Sequence, residues 1–317
     1  MSTDTTGIHH VTAIAGEPQR NVDFYVGLLG LRMVKKTVNF DDPETYHLYY
    51  GDGDGSPGSI MTFFPWAHAP AGLQGTGQLT VTSFSIPESS LGYWTDRLID
   101  HGVRFEKLSQ RFDDTVVSFA DPDGMKLELI ASATDDRSPW EYGPVPAEHA
   151  VRGFHHVTLS ERAPERTTKL MTDHLGFRQV EEGDGRYRFE ADDGGPGNLV
   201  DVVDGSRDSR GRMGVGTVHH VAFRADDDEH QLEIREEVAG LGYDVTPVLD
   251  RNYFHSIYFR EPGGVLFEIA TDPPGFAADE APDKLGTSLK LPPWLEPRRE
   301  RIEEALPRLR VPSEAGK

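Results

Sequence analysis

Two residues sit in strand-like sequence without a packing reason to be there. They are His220 in Val218-His219-His220-Val221-Ala222-Phe223 and Glu268 in Val265-Leu266-Phe267-Glu268-Ile269-Ala270. Both segments are short, rich in Val, Ile and Phe, and bounded by Gly or charged turns, as β-strands are. An unpaired carboxylate buried in such a strand carries a desolvation cost of roughly several kcal/mol. A divalent cation removes that cost. Two imidazoles and one carboxylate around a metal with open positions form the ligand set of non-haem Fe(II) oxygenases. One more His is therefore required, and two further doublets offer it: His9-His10 and His155-His156.

These residues recur at corresponding places in a repeat. Four segments open with a similar strand: Gly7-Ile8-His9-His10-Val11-Thr12, Gly77-Gln78-Leu79-Thr80-Val81-Thr82, Gly153-Phe154-His155-His156-Val157-Thr158 and Gly216-Thr217-Val218-His219-His220-Val221. Each leads into a helical stretch, 19–29, 90–101, 163–174 and 228–241. In the first, Val22, Tyr25, Val26 and Leu29 follow the i, i+3, i+4, i+7 spacing of an amphipathic helix. Each helix then meets Gly and an apolar residue (Gly30-Leu31, Gly102-Val103, Gly176-Phe177, Gly242-Tyr243), which suits a left-handed helix end. Three strand-like runs follow. The unit reads strand–helix–three strands, four times over.

Adjacent residues on a strand face opposite sides, so one His of each doublet points inward. Equivalent inward positions are read as His10, Thr80, His156 and His220, with Glu128 and Glu268 closing the second and fourth units. In the first and third units the closing position falls near Thr62-Phe63 and Asp201-Val202. If units one and four close on each other, the metal set is His10, His220 and Glu268. If units three and four pair, it is His156, His220 and Glu268. Spacing alone leaves both open. Glu128 reads as a salt-bridge or rim residue.

The organisation expected is modules one and two over residues 1–133, a Pro-containing linker over 134–152, modules three and four over 153–271, and a loop and helix over 272–317. That helix is expected over 297–309, with Pro297 in its first turn and Ile302, Ala305, Leu306 and Leu309 on one face. The net charge of −21 argues against nucleic acid, whose binding is driven by Lys and Arg. Cys is absent, which excludes disulfides, thiolate metal sites and a Cys nucleophile. No run approaches the roughly 20 apolar residues of a membrane span, and 1–6 lacks the features of a signal peptide. A cytoplasmic protein is expected, with no nucleic-acid or membrane partner.

The repeated unit resembles the βαβββ module of the vicinal oxygen chelate superfamily, which includes glyoxalase I, bleomycin-resistance proteins and extradiol dioxygenases. The chain is similar to its hydroquinone ring-cleaving branch to about Thr271, including 21–36, Tyr46-His47-Leu48-Tyr49, the linker 144–153 and 251–270. The resemblance implies an α+β fold of four βαβββ modules in two incomplete β-barrels with a C-terminal helical tail. It implies His10, His220 and Glu268 as ligands of Fe(II), or Mn(II), with O2 as co-substrate and a hydroquinone-type aromatic as substrate. It also carries over Tyr258 and Arg251 as active-site residues, and His9, Thr12 and His219 beside the metal. Homo-oligomers are implied as well. A catechol-type extradiol dioxygenase using His156, and a non-catalytic binding protein for aromatics or quinones, are the other readings. A glyoxalase-like isomerase needs a fourth protein ligand, for which the position near Thr62 is unsuitable. His47 and His255 have no assigned role.

Overall fold

The structure is a computed structural model that describes residues 3–312. Met1 and Ser2, and 313–317 of the tail, lie outside the described residues. Unit one comprises β1 (Ile8–Ala15), β2 (Arg32–Val38), β3 (Tyr46–Gly51) and β4 (Ile60–Pro65), and unit two β5 (Gln78–Pro87), β6 (Ser109–Arg111), β7 (Asp114–Ala120) and β8 (Lys126–Ser132). Unit three has β9 (Gly153–Glu161), β10 (Arg178–Gly183), β11 (Arg186–Glu190) and β12 (Leu199–Asp204). Unit four has β13 (Thr217–Ala225), β14 (Leu249–Asp250), β15 (Phe254–Arg260) and β16 (Leu266–Pro274). Helices α1 (Pro18–Val22), α2 (Leu91–Asp100), α3 (Pro164–His174) and α4 (Asp228–Gly240) each follow the opening strand of a unit. The first continues as a π-helical stretch, Asp23–Leu28. The stops fall where glycine can take the left-handed conformation: Gly30, Gly102, Gly176 and Gly242 all have φ between 70° and 91°.

The strands form two eight-stranded sheets. One runs β14-β15-β16-β13-β1-β4-β3-β2 and the other β10-β11-β12-β9-β5-β8-β7-β6. Unit one therefore shares a sheet with unit four, and unit two with unit three. The strands where the units join are antiparallel, β1 to β13 and β5 to β9. Being central, β1 and β9 are buried along their whole length. Both members of the His9-His10 and His155-His156 doublets are enclosed, and each doublet sits at a register shift that breaks the strict alternation of faces expected from the sequence, so the two rings of each doublet meet.

The tail returns to the first sheet, where Lys290 N donates to Lys36 O at 2.9 Å and Trp294 meets the Phe40 ring edge-on. Its helix, α5 (Arg299–Ala305), is shorter than the expected 297–309. Glu296–Arg298 form a 3-10 turn, and Leu306, preceding Pro307, is extended, because the proline ring disfavours α-geometry in the residue before it. Ile302 and Leu306 supply the apolar side and are buried. Among the described residues no helix is long and apolar enough to cross a membrane.

Candidate metal centre

Register alone gathers the predicted ligands. Across the β1–β13 pair, Thr12 faces His220 and His10 faces Ala222, and across the parallel β13–β16 pair Ala222 faces Glu268. His10, Thr12, His220 and Glu268 thus share one concave face. His220 Nε2 lies 2.9 Å from Glu268 Oε2, His10 Nε2 3.3 Å from the same oxygen, and the two ring nitrogens 3.3 Å from each other. All three residues are buried, Glu268 fully at 0% exposure.

The donor set fits a divalent cation. Glu268 Oε2 is fully buried and makes no hydrogen bond despite the two nitrogens beside it. Its other oxygen accepts a short hydrogen bond from Ser256 Oγ. An orphaned carboxylate oxygen and two imidazole nitrogens, converging without hydrogen-bond geometry between carboxylate and rings, are arranged for something placed among them. Burial would push the Glu268 carboxyl up, but His10 and His220 hold it well below the usual carboxylate range, so it stays ionised. Burial pushes His220 down, which favours the neutral, ligating form.

The second His of each doublet has a defined contact. His9 Nδ1 is 2.9 Å from His10 Nδ1, and His219 Nδ1 is 2.8 Å from His220 Nδ1. If the Nε2 atoms of His10 and His220 present lone pairs to a metal, their Nδ1 atoms carry the protons and donate to His9 and His219. Those neighbours then fix tautomer and ring orientation, the usual work of residues behind a metal-bound imidazole. Burial pushes His219 down to about 3 and His9 well below its ordinary value, which keeps both available as acceptors.

Tyr258 and Arg251 come together at the same cavity. Arg251 Nε donates to Tyr258 Oη at 3.3 Å, and the Tyr258 ring meets the His220 ring edge-on at 5.6 Å. Burial, and then the Glu268 charge, raise the Tyr258 hydroxyl, so it keeps its proton as a donor. Arg251 also lies 3.9 Å from the exposed Asp41 carboxylate. The cavity has a volume of about 470 Å³, with Phe40, Phe64, Trp66 and Leu249 as apolar walls beside His10, His219 and His220. A small aromatic ring suits such walls.

Thr12 Oγ1 lies 2.9 Å from Thr62 Oγ1. Thr62 faces Thr12 across the parallel β1–β4 pair as Glu268 faces Ala222 across β13–β16. It therefore occupies the position where a second carboxylate would complete a four-ligand set. His47 Nε2 stands 2.8 Å from Thr62 Oγ1 and lines the cavity. Its sequence position permitted a pocket role, but its placement depends on strand register that no local pattern reveals. His255 instead pairs with Asp228 at 2.6 Å, on a partly exposed edge outside the cavity.

The corresponding place in the other sheet is filled by arginines. Ser83 faces both His156 and Glu128, so the counterpart of His220 is Val81, two residues back, and not Thr80. Arg111 grips Glu128 with two hydrogen bonds of 2.7 Å, while Arg188 takes Asp201 at 2.8 and 3.1 Å and Arg186 takes it at 2.8 Å. His156 Nε2 lies 3.4 Å from Asp201 and 3.2 Å from Ser83 Oγ. Guanidinium groups thus neutralise the carboxylates that a cation would otherwise hold. His155, His156 and Asp114 also approach one another, but Arg188 already takes Asp114 at 2.6 Å. The structure brings His10, and not His156, to His220 and Glu268.

Known proteins share this architecture. The profile of the Glyoxalase/Bleomycin resistance protein/Dioxygenase superfamily matches residues 7–129 and 153–269. MhqO of Bacillus subtilis, provisionally named a ring-cleaving dioxygenase, is 49% identical over 308 residues, covering 96% of this chain and 97% of that one. The chlorohydroquinone/hydroquinone 1,2-dioxygenase of Sphingobium indicum is 38% identical over 298 residues, covering 92% of each. A crystal structure of a provisionally named dioxygenase from Bacillus subtilis superimposes with a TM-score of 0.94 at 47% identity, covering 98% of this chain and 99% of that one. The chain belongs to the glyoxalase, bleomycin-resistance and dioxygenase superfamily.

Proposed function

We propose that the protein is a metal-dependent dioxygenase that opens a hydroquinone-type aromatic ring with O2, cleaving beside one hydroxyl in the extradiol manner. The observation that carries this reading is the three-donor cup of His10, His220 and Glu268, with Thr62 in the place of a fourth ligand. Fe(II) held there, or Mn(II), would supply a redox centre with coordination positions left open for an aromatic diol and O2. Its relatives named for ring cleavage, one of them for hydroquinone itself, support the substrate class.

The chain's own residues have separable tasks. Phe64, Trp66 and Phe40 enclose the ring and exclude water from one side. Tyr258, held from behind by Arg251, donates its proton toward oxygen charge that develops on the substrate. Arg251 places a cation within the same cavity wall, where low dielectric strengthens it. His9 and His219 keep the ligating imidazoles in one tautomer. A catechol-type site on His156 has little support, since that imidazole is enclosed by Asp201, Ser83 and the arginine-held Glu128.

The test is anaerobic loading with Fe(II) or Mn(II), metal quantitation, and O2 uptake with a panel of hydroquinones and catechols. About one metal per chain and O2 consumption with hydroquinones are expected. Stoichiometric binding of aromatics by metal-loaded protein without O2 uptake would instead identify a non-catalytic binding protein.

A further inference from the structure

Strands β1, β4 and β3 carry a continuous row of polar side chains whose purpose the roles above leave open. Thr12 Oγ1 is 2.9 Å from Thr62 Oγ1, Thr62 Oγ1 is 2.8 Å from His47 Nε2, and His47 Nδ1 is 2.8 Å from Tyr49 Oη. One end of the row reaches the cup. Thr12 is the cross-strand partner of His220 and stands two residues from His10 on the same face, and the Cβ atoms of directly opposed residues are about 4.5–5.5 Å apart. The other end reaches the cavity, which His47 and Tyr49 both line. Thr12 and Thr62 are fully buried, so bulk water does not compete for their hydroxyls.

Every member can both donate and accept. A hydroxyl offers one proton and two lone pairs, and a neutral imidazole one of each. Burial pushes His47 well below its ordinary value, which keeps it neutral. The row therefore has two self-consistent polarities, and passing between them carries one proton from end to end while His47 exchanges tautomers. Satisfying Thr62 alone would not require this length, because Thr12 already provides a partner.

We propose that Thr12, Thr62, His47 and Tyr49 form a proton relay between the metal cup and the cavity, with His47 as the member that changes tautomer. This rests on the ring-cleavage reading, in which a diol hydroxyl arrives at the cup and must lose its proton. That proton passes to Thr12 Oγ1, the Thr12 proton to Thr62 Oγ1, the Thr62 proton to His47 Nε2, and the His47 Nδ1 proton to Tyr49 Oη. Tyr49 releases its own proton to water in the cavity. One O–H bond breaks on the substrate, one forms on water, and no electrons are transferred.

Metal-loaded Thr62→Val, Tyr49→Phe and His47→Ala are compared with wild type in O2 uptake with hydroquinone, in H2O and D2O, across pH, with metal content measured on each. Thr62→Val is nearly isosteric and cuts the row in the middle. We expect kcat to fall about 100-fold, the lower end of what positioned proton transfer contributes, with KM and metal content within about twofold of wild type by the same reasoning. The solvent isotope effect on kcat should increase, and added imidazole should restore part of the activity of His47→Ala. Unchanged kcat and isotope effect in Thr62→Val and Tyr49→Phe, with an active wild type, would overturn the relay and leave ring cleavage standing. Loss of metal or a raised KM at constant isotope effect would also overturn it, in favour of a packing role. Metal-loaded wild type that consumes no O2 with any hydroquinone would remove the ring-cleavage reading and the relay's proton source together.

Discussion

Glu268→Gln should make the metal-free protein more stable and the metal-treated protein less so. In the metal-free cup one carboxylate oxygen is buried at 0% exposure with no hydrogen bond, beside two ring nitrogens at 2.9 and 3.3 Å. An unsatisfied buried polar group costs about 1–3 kcal/mol, and more when charged. An amide nitrogen in that position can donate to either imidazole, while the amide oxygen can still accept from Ser256. The metal-free variant should therefore gain roughly 1–3 kcal/mol, or a Tm rise of about 2–12 °C at roughly 2–4 °C per kcal/mol. Wild type should gain about 4.1 kcal/mol when the metal is present at about 1,000 times its Kd, and the variant, lacking the anionic donor, should gain little. Scanning calorimetry of both proteins, with chelator and with Mn(II) or anaerobic Fe(II), should show the two Tm values exchange order. A metal-free variant that melts below metal-free wild type would show that the unpaired Glu268 oxygen carries no such cost.

Further outcomes follow from the two sheets. His10→Ala should lower metal affinity by more than the roughly 10–100-fold lost when a supporting partner is removed, whereas His156→Ala should retain full metal and ring-cleaving activity; isothermal titration and metal analysis read both. Burial would raise the Glu128 carboxyl, but the Arg111 fork holds it at about 2. The native state then binds fewer protons than the unfolded state between about pH 2 and 4.5, so roughly 3 kcal/mol of stability is complete above that window and lost as pH falls through it. Urea unfolding at stepped acidic pH should show this slope in wild type and a flatter one in Arg111→Met. Burial and the neighbouring Glu261 push Glu161 up to about 8, and neither of its oxygens has a partner. Here the native state binds more protons, so stability falls as pH rises from about 4.5 to 8, and Glu161→Gln should unfold later than wild type by about 1–3 kcal/mol at pH 8 while matching it near pH 4.

The repeat was legible because its punctuation is local: Gly30, Gly102, Gly176 and Gly242 each sit where a helix must reverse, and each adopts positive φ. His220 and Glu268 were legible because charge and imidazole are costly in apolar strands. The choice of His10 was not available from spacing, since nothing local reports that β1 pairs with β13 rather than β9 with β13. The position read at Thr80 lies one residue before the true counterpart, Val81, because the register shifts between Leu79 and Val81 and spacing from Gly77 does not reveal it. Arg186 and Arg188 were missed, although their alternation along one strand puts them on one face and is the signal that could have revealed the ion-paired core of the second sheet. Thr62 and His47 were hidden for a different reason: their meeting is a matter of register among β1, β4 and β3, which depends on the whole sheet.

The joining of unit one to unit four also sets an order of events during synthesis. His10 and His220 are 210 residues apart, so at about 5–20 residues per second the first ligand waits roughly 10–40 s for the second to be made. The inner sheet, built only from β5 to β12, is contiguous in sequence and can close before β13 exists. Until then β1 presents its histidines beside an unpaired strand edge, the kind of surface that recruits wrong partners. Metal capture is thus confined to the last stage of maturation, and a chain truncated before Glu268 would carry a finished inner sheet and an incomplete outer one.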